Sequence, residues 1–248
     1  MAKKASILDR YGIKEVADVT FYKIDKTTQK PAEPVLYLDT LKVSTIEQTA
    51  ENTSARGGKG NPELITWDYG KEITVTLEDA LFSAKSMALM FGDLDGVQNA
   101  TDGKILKTWR VYDGKKLESY TVNGKTVTPT NIKYYKEDGS VIEEAAATTA
   151  TDIAFITGEI TVTSMTIDIN AETFPGTYYI TGDTYARSED TGEDEFFQFV
   201  IAKAKVQSEV TLTMEAEGDP STFSMNLRVL RPKSGPMMQL IKYDLANG

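Results

Sequence analysis

Hydrophobic and polar residues alternate with a period of two along much of this chain, the spacing of strands that bury one face. The clearest run is Ile65–Glu78. Its odd positions are Ile65, Trp67, Tyr69, Lys71, Ile73, Val75 and Leu77, and its even positions are Thr66, Asp68, Gly70, Glu72, Thr74, Thr76 and Glu78. Only Lys71 breaks the alternation. The pattern predicts one amphipathic strand of about 14 residues, roughly 45 Å long, where ordinary strands have 5–6 residues. Trp67 and Tyr69 share the phase of Ile73, Val75 and Leu77, so core packing is expected for both rings.

A second pattern predicts an antiparallel hairpin near the C-terminus. Val210, Leu212, Met214 and Ala216 alternate with Thr211, Thr213, Glu215 and Glu217. After Gly218-Asp219-Pro220-Ser221, the residues Phe223, Met225, Leu227 and Val229 do the same. Between Ile160 and Ile169 the apolar phase switches from even to odd, and a bulge near Ser164 would account for it. Further strands are expected at Val19–Ile24, Val35–Asp39, Lys42–Ala50, Thr177–Tyr185 and Phe196–Val206. One internal helix is expected at Ser83–Phe91, stopped by Gly92, and a short one at Ser6–Tyr11.

The stretch 97–152 has a different texture. Asp113-Gly114, Asn123-Gly124 and Asp138-Gly139 punctuate short β-like runs, as tight hairpins require. The segment Glu143–Thr151 reads as a connector. The expected organisation is therefore a discontinuous main domain, 1–96 and 153–248, with a small β module inserted at 97–152. The fold class read from the pattern is mainly β, with long strands and little helix.

Composition removes most chemistry. The chain of 248 residues has neither Cys nor His. Thiol nucleophiles, disulfides, Cys- or His-based metal sites and Ser–His–acid triads are thereby excluded. No cofactor is expected, and the chain is read as a non-enzyme. The net charge of −10 argues against stable binding to nucleic acid, which attracts Lys and Arg. It leaves open a surface past which nucleic acid slides. Residues 159–219 alone carry thirteen acidic and three basic groups, matching the whole excess. Met1-Ala-Lys-Lys-Ala-Ser leads into no hydrophobic segment, so neither a secretory signal nor a membrane span is expected.

Local motifs mostly dissolve on inspection. Asp93-Leu-Asp95-Gly96 places Gly at the wrong position for a calcium loop and reads as turn chemistry. Arg56-Gly57-Gly58-Lys59-Gly60-Asn61-Pro62 lacks the spacing of a phosphate cradle and reads as a mobile loop joining two long strands. Its cations could pair with carboxylates of another subunit. Glu193-Asp194-Glu195 could supply two carboxylates for glycosidic chemistry but reads better as a solvated turn. The sequons at Asn52 and Asn99 carry little weight without a secretory signal. Trp109 is left open as a surface-binding residue of the inserted module.

The order of these features resembles bacteriophage tail tube proteins. The resemblance rests on Val35-Leu-Tyr-Leu-Asp-Thr, the acidic strand with Glu47 and Glu51, and Ala55-Arg-Gly-Gly-Lys-Gly-Asn-Pro. It continues through Leu64-Ile-Thr-Trp-Asp-Tyr, Glu72-Ile-Thr-Val-Thr-Leu-Glu-Asp-Ala-Leu-Phe-Ser, the Val210–Phe223 segment and Val229-Leu-Arg-Pro. It covers about residues 19–92 and 160–243, with the inserted module outside it. It implies a β-sandwich or partial barrel with one flanking helix, forming hexameric rings that stack into a tube, each subunit lending long strands to an intersubunit β-barrel through which DNA is ejected. The type VI secretion tube protein shares that architecture. On this reading Thr66, Asp68, Glu72, Thr74, Thr76 and Glu78 face the lumen, while Arg56, Gly57, Gly58, Lys59, Gly60 and Asn61 contact a neighbouring subunit. The implied partners are further copies of the chain, a tail sheath if the tail contracts, and baseplate or tail-tip and terminator proteins. DNA passes without specific binding. The implied location is the virion tail, assembled in the host cytoplasm. Two alternatives stand beside it. One is a carbohydrate-binding or adhesin-like β-sandwich or a tube from another contractile injection system; the other is a carboxylate-dependent hydrolase.

Overall fold

The computed structural model describes residues 10–92, 94–211 and 222–243. In chain order the elements are β1 (Tyr11–Ile13), β2 (Asp18–Ile24), β3 (Pro31–Leu38), β4 (Leu41–Arg56), β5 (Glu63–Asp79), α1 (Ala84–Phe91) and β6 (Val97–Arg110). Then come β7 (Tyr120–Val122), β8 (Lys125–Val127), β9 (Thr130–Tyr135), β10 (Val141–Ile142), α2 (Glu144–Ala147) and β11 (Phe155–Ile167). The chain closes with β12 (Thr177–Ser188), β13 (Asp194–Val206), β14 (Phe223–Val229) and β15 (Met238–Tyr243). They fall into two compact units, 1–97 with 167–248, and 98–166. The second unit runs from Gln98 to Thr166 and so includes most of β11.

The first unit is built on one nine-stranded antiparallel sheet in the order β3-β2-β12-β13-β14-β5-β4, with β1 against β12 and β15 against β13. Alternate positions turn one face inward. Val19 and Phe21, Leu36 and Leu38, Ile180, Phe199 and Ile201, Met225 and Leu227, and Val75 and Leu77 form its core with Leu89 and Met90 of α1. Phe199 lies across Gly182, where a Cβ would come within 2.1 Å of the ring, so this strand position requires glycine. The architecture is mainly β with one principal helix, as the patterning predicts.

Helix α1 forms where expected and its ends explain why. Ser83 Oγ accepts from Ser86 N at 3.0 Å while Ser86 Oγ accepts from Ser83 N at 2.8 Å, a reciprocal cap of the first turn. Gly92, at φ 102°, ends it in the left-handed conformation. The expected helix at Ser6–Tyr11 lies partly outside the described residues, and Tyr11 itself is in β1. The first strand of the expected C-terminal hairpin lies mostly outside them too; its second strand is β14, with Met225, Leu227 and Val229 buried.

The second unit has a four-stranded sheet, β10-β9-β11-β6, and the β7-β8 hairpin. Its core holds Trp109, Tyr120, Tyr134, Ile142, Ile153, Ile156 and Ile160. Trp109 is therefore a core residue and not a surface binder: its Nε1 donates to Thr121 O at 3.0 Å and its ring meets Tyr120 edge-on. The expected connector contains the short helix α2, which buries Ala147. The register of β11 against β9 shifts between Thr157 and Glu159. Along β11 the burial alternation continues to Ser164 and breaks at Met165–Thr166, both exposed.

Candidate assembly surfaces

Strands β4 and β5 form the longest hairpin of the chain, 16 and 17 residues. Its proximal half is part of the sheet, because β14 pairs with β5 from Asp79 to Thr74. Beyond that, Glu63–Glu72 pairs only with β4 among the described residues. This distal arm is roughly 30 Å long and exposed on both faces.

The arm carries apolar side chains into solvent. Leu64 is 62% exposed, Ile65 54%, Trp67 52% and Tyr69 52%. The expectation that Trp67 and Tyr69 pack in the core is thus overturned, and the register supplies the reason. Thr49 pairs with Glu72 but Glu51 pairs with Tyr69, so two residues of β5, Gly70 and Lys71, oppose Ala50 alone. Gly70 has φ 62°, the left-handed conformation of a glycine bulge. Directly paired residues share a face, so the extra residue reverses the phase of everything beyond it.

The six lumen candidates consequently do not share one face. Glu72, Thr74, Thr76 and Glu78 lie on the sheet face turned away from the core, with Glu47, Thr45 and Val43 opposite them on β4. Ile65, Trp67 and Tyr69 lie on that same face further out. Thr66 and Asp68 lie on the other, continuous with Ile73, Val75 and Leu77. What reads as one apolar stripe is two stripes on opposite faces. Gly70 followed by Lys71 was the signal that could have revealed it, since glycine inside a strand pattern marks bulges.

The polar face is also not purely acidic. Register places Ser224, Asn226 and Arg228 of β14 beside Glu78, Thr76 and Thr74. Thr76 Oγ1 donates to Asn226 at 3.0 Å, and Arg228 pairs with Glu72. Lys205 of β13 lies next to Arg228 in the same row. Arg228 escaped the sequence reading because it lies in a distant strand, and nothing local points to its neighbour.

At the arm's tip, Gly57 N donates to Pro62 O at 3.2 Å and Asn61 N to Gly58 O at 3.0 Å. Gly58, Gly60 and Asn61 all have positive φ, 85°, 88° and 50°. Glu63 knits the base of this turn, accepting from Ser54 Oγ at 2.6 Å and Thr66 Oγ1 at 2.5 Å. Arg56 Nη2 donates to its other oxygen at 3.1 Å. The Ser54 and Thr66 hydroxyls, and then Arg56, hold the Glu63 carboxyl below its ordinary range. Arg56 is therefore engaged within its own hairpin. Lys59 has no ion-pair partner among the described residues.

Two carboxylates of the acidic run 193–195 are engaged in ion pairs. Asp194 is gripped by Arg187 at 2.7 Å through both oxygens, and Glu195 pairs with Lys242. Among the described residues no acidic cluster could hold a metal ion, and no helix is long and apolar enough to cross a membrane.

None of the curated proteins compared with this chain matches it. A family model does: that of the YomU/Tube protein family, over residues 11–242. Those limits enclose the second unit, which the motif resemblance had left outside. The match spans both strands of the long hairpin and the β14 strand beside it. The chain belongs to the YomU/Tube protein family, a family of phage tail tube proteins.

Proposed function

We propose that this chain polymerises with itself into stacked hexameric rings that form the hollow tube of a phage tail, and that DNA leaves through the lumen. The observation that carries this reading is the distal β4–β5 arm. A two-stranded ribbon is marginally stable alone in water, and this one exposes Leu64, Ile65, Trp67 and Tyr69. Covering the exposed halves of these four side chains contributes on the order of 3–6 kcal/mol per arm. A second copy of the chain supplies that cover, and the edges of β3 and β4, unpaired among the described residues, provide ladder partners that close the ring.

The sheet face bearing Glu72, Thr74, Thr76 and Glu78 lines the lumen, completed by Ser224, Asn226 and Arg228 of β14. Thr66 and Asp68, beyond the Gly70 bulge, face away from it. Six copies at −10 give a ring near −60, which repels phosphates and gives DNA few points of attachment. The tip, with Gly57, Gly58, Lys59, Gly60 and Asn61, contacts a subunit of the neighbouring ring. The role is structural, in the virion tail after assembly in the host cytoplasm, beside a sheath if the tail contracts and beside baseplate and terminator proteins.

Negative-stain microscopy with sedimentation velocity tests the reading. Rings or long hollow tubes are expected at high protein concentration. Uniform small particles across the whole concentration range would overturn it.

A further inference from the structure

One face of the second unit's four-stranded sheet carries a row of apolar and aromatic side chains. Register places Val141, Tyr135 and Phe155 side by side across β10, β9 and β11, while Ile142, Tyr134 and Ile156 point inward. Next to this row the Arg110 guanidinium lies 5.2 Å from the Phe155 ring centre and 5.6 Å from that of Tyr112. Tyr112 is 89% exposed. In a chain with ten more acids than bases, Arg110 nevertheless has no carboxylate partner among the described residues. The two rings hold it instead, leaving its N–H edge open.

This strip borders a cleft of about 630 Å³ lined by residues 110–114, 136–138 and 151–154. The walls are set by main-chain hydrogen bonds: Val111 N to Ala154 O at 2.9 Å, Ile153 N to Gly114 O at 2.9 Å, and Ala154 N to Tyr135 O at 2.8 Å. Gly114 sits so close to Thr151 that a Cβ would fall 2.0 Å from its carbonyl oxygen. The cleft is thus formed before anything enters, which lowers the ordering cost of binding. Its polar groups have both signs. Lys136 bonds Asp152 at 2.7 Å, and Asp113 and Asp138 present carboxylates on the same rim.

We propose that this cleft and strip bind a neutral glycan chain. Sugar rings offer flat apolar C–H faces for Tyr112 and hydroxyls that both donate and accept. Arg110 and Lys136 donate to such hydroxyls, and Asp113 and Asp138 accept from them. A polyanion would meet the cleft's carboxylates, and a purely apolar partner would leave its charges unpaired. The row from β10 to β6 spans three strand spacings, roughly 14 Å, which accommodates a short run of rings. This role is separate from tube formation and rests on the second unit alone.

The test uses the full chain, titrated with arrays of neutral hexose and N-acetylhexosamine oligosaccharides and of uronate- or phosphate-bearing ones. Saturable binding of at least one neutral oligosaccharide is expected. Tyr112→Ala and Arg110→Ala should each weaken it about tenfold or more, with an unchanged near-ultraviolet circular dichroism spectrum. Tyr112→Trp should bind at least as tightly as the parent, and it decides the matter if Tyr112→Ala fails to fold. Absence of binding to every neutral chain, preference for the acidic series, or parental affinity in folded Tyr112→Ala overturns the proposal.

Discussion

Glu72 and Arg228, 156 positions apart in the sequence, form an ion pair on the sheet face turned away from the core. Both side chains are about half exposed, 48% and 51%, so the pair adds little stability. Its consequence is electrostatic: the carboxylate occupies a guanidinium that would otherwise be a ready ligand for phosphate.

If that face lines the lumen, Glu72→Gln releases Arg228. Tubes of this variant should assemble and retain DNA at low salt, with retention falling as salt rises. The double variant Glu72→Gln/Arg228→Gln should behave like the parent. Co-sedimentation of DNA with tubes across a salt series measures this. Equal retention by parent and Glu72→Gln tubes would mean that the face does not meet DNA.

The Gly70 bulge sets which way the arm's aromatic residues point. Inserting one residue after Ala50 in β4 gives Gly70 a partner of its own, restores simple alternation and moves Ile65, Trp67 and Tyr69 to the opposite face. The monomer should fold, since the core ends at Ile73, while polymerisation should fail. Gly70→Ala leaves room for the Cβ, whose nearest neighbour would be the Glu51 side chain at 3.8 Å. It strains a φ of 62° at a cost of about 1–2 kcal/mol. Chemical denaturation and sedimentation read the two effects separately.

Trp67→Ser/Tyr69→Ser removes apolar surface that the isolated chain leaves in solvent. Monomer stability should stay within about 0.5 kcal/mol of the parent. The concentration needed for assembly should rise by at least tenfold, as light scattering would report. A large loss of monomer stability would place these rings in a core after all.

The tip should respond to acid. Glu63 is held below its ordinary range by Ser54, Thr66 and Arg56. A depressed carboxyl stabilises the folded tip fully above its unfolded value, and this contribution is lost as pH falls through the folded value. Amide protection factors over residues 54–66, with the intrinsic pH dependence of exchange divided out, should therefore fall in that acidic window. Glu63→Gln should show low protection already at neutral pH and no further change in protection through the window.

The second unit should be separable. Replacing residues 98–166 by a short flexible linker between Val97 and Ile167 should leave a chain that melts cooperatively with a β-rich circular dichroism spectrum. Loss of the transition would make the module integral to the first unit's folding.

The sequence by itself determined the β class, the long strand at Ile65–Glu78, the position of α1 and the exclusion of thiol and imidazole chemistry. These follow from local rules. Period-two alternation marks strands, Gly92 marks the end of the helix, and missing residue types cannot act. The partner of Glu72 and the faces of Trp67 and Asp68 were decided only by tertiary structure. Alternation tells which residues share a face only while the strand remains regular, and one extra residue at Gly70 reverses the assignment without changing the pattern of letters. Arg228 reaches Glu72 because β14 pairs with β5 in one register, and that register depends on contacts made 150 residues away. Likewise Trp109 is buried through the fold of its own unit, while Tyr112, three positions on, remains in solvent because β6 has ended.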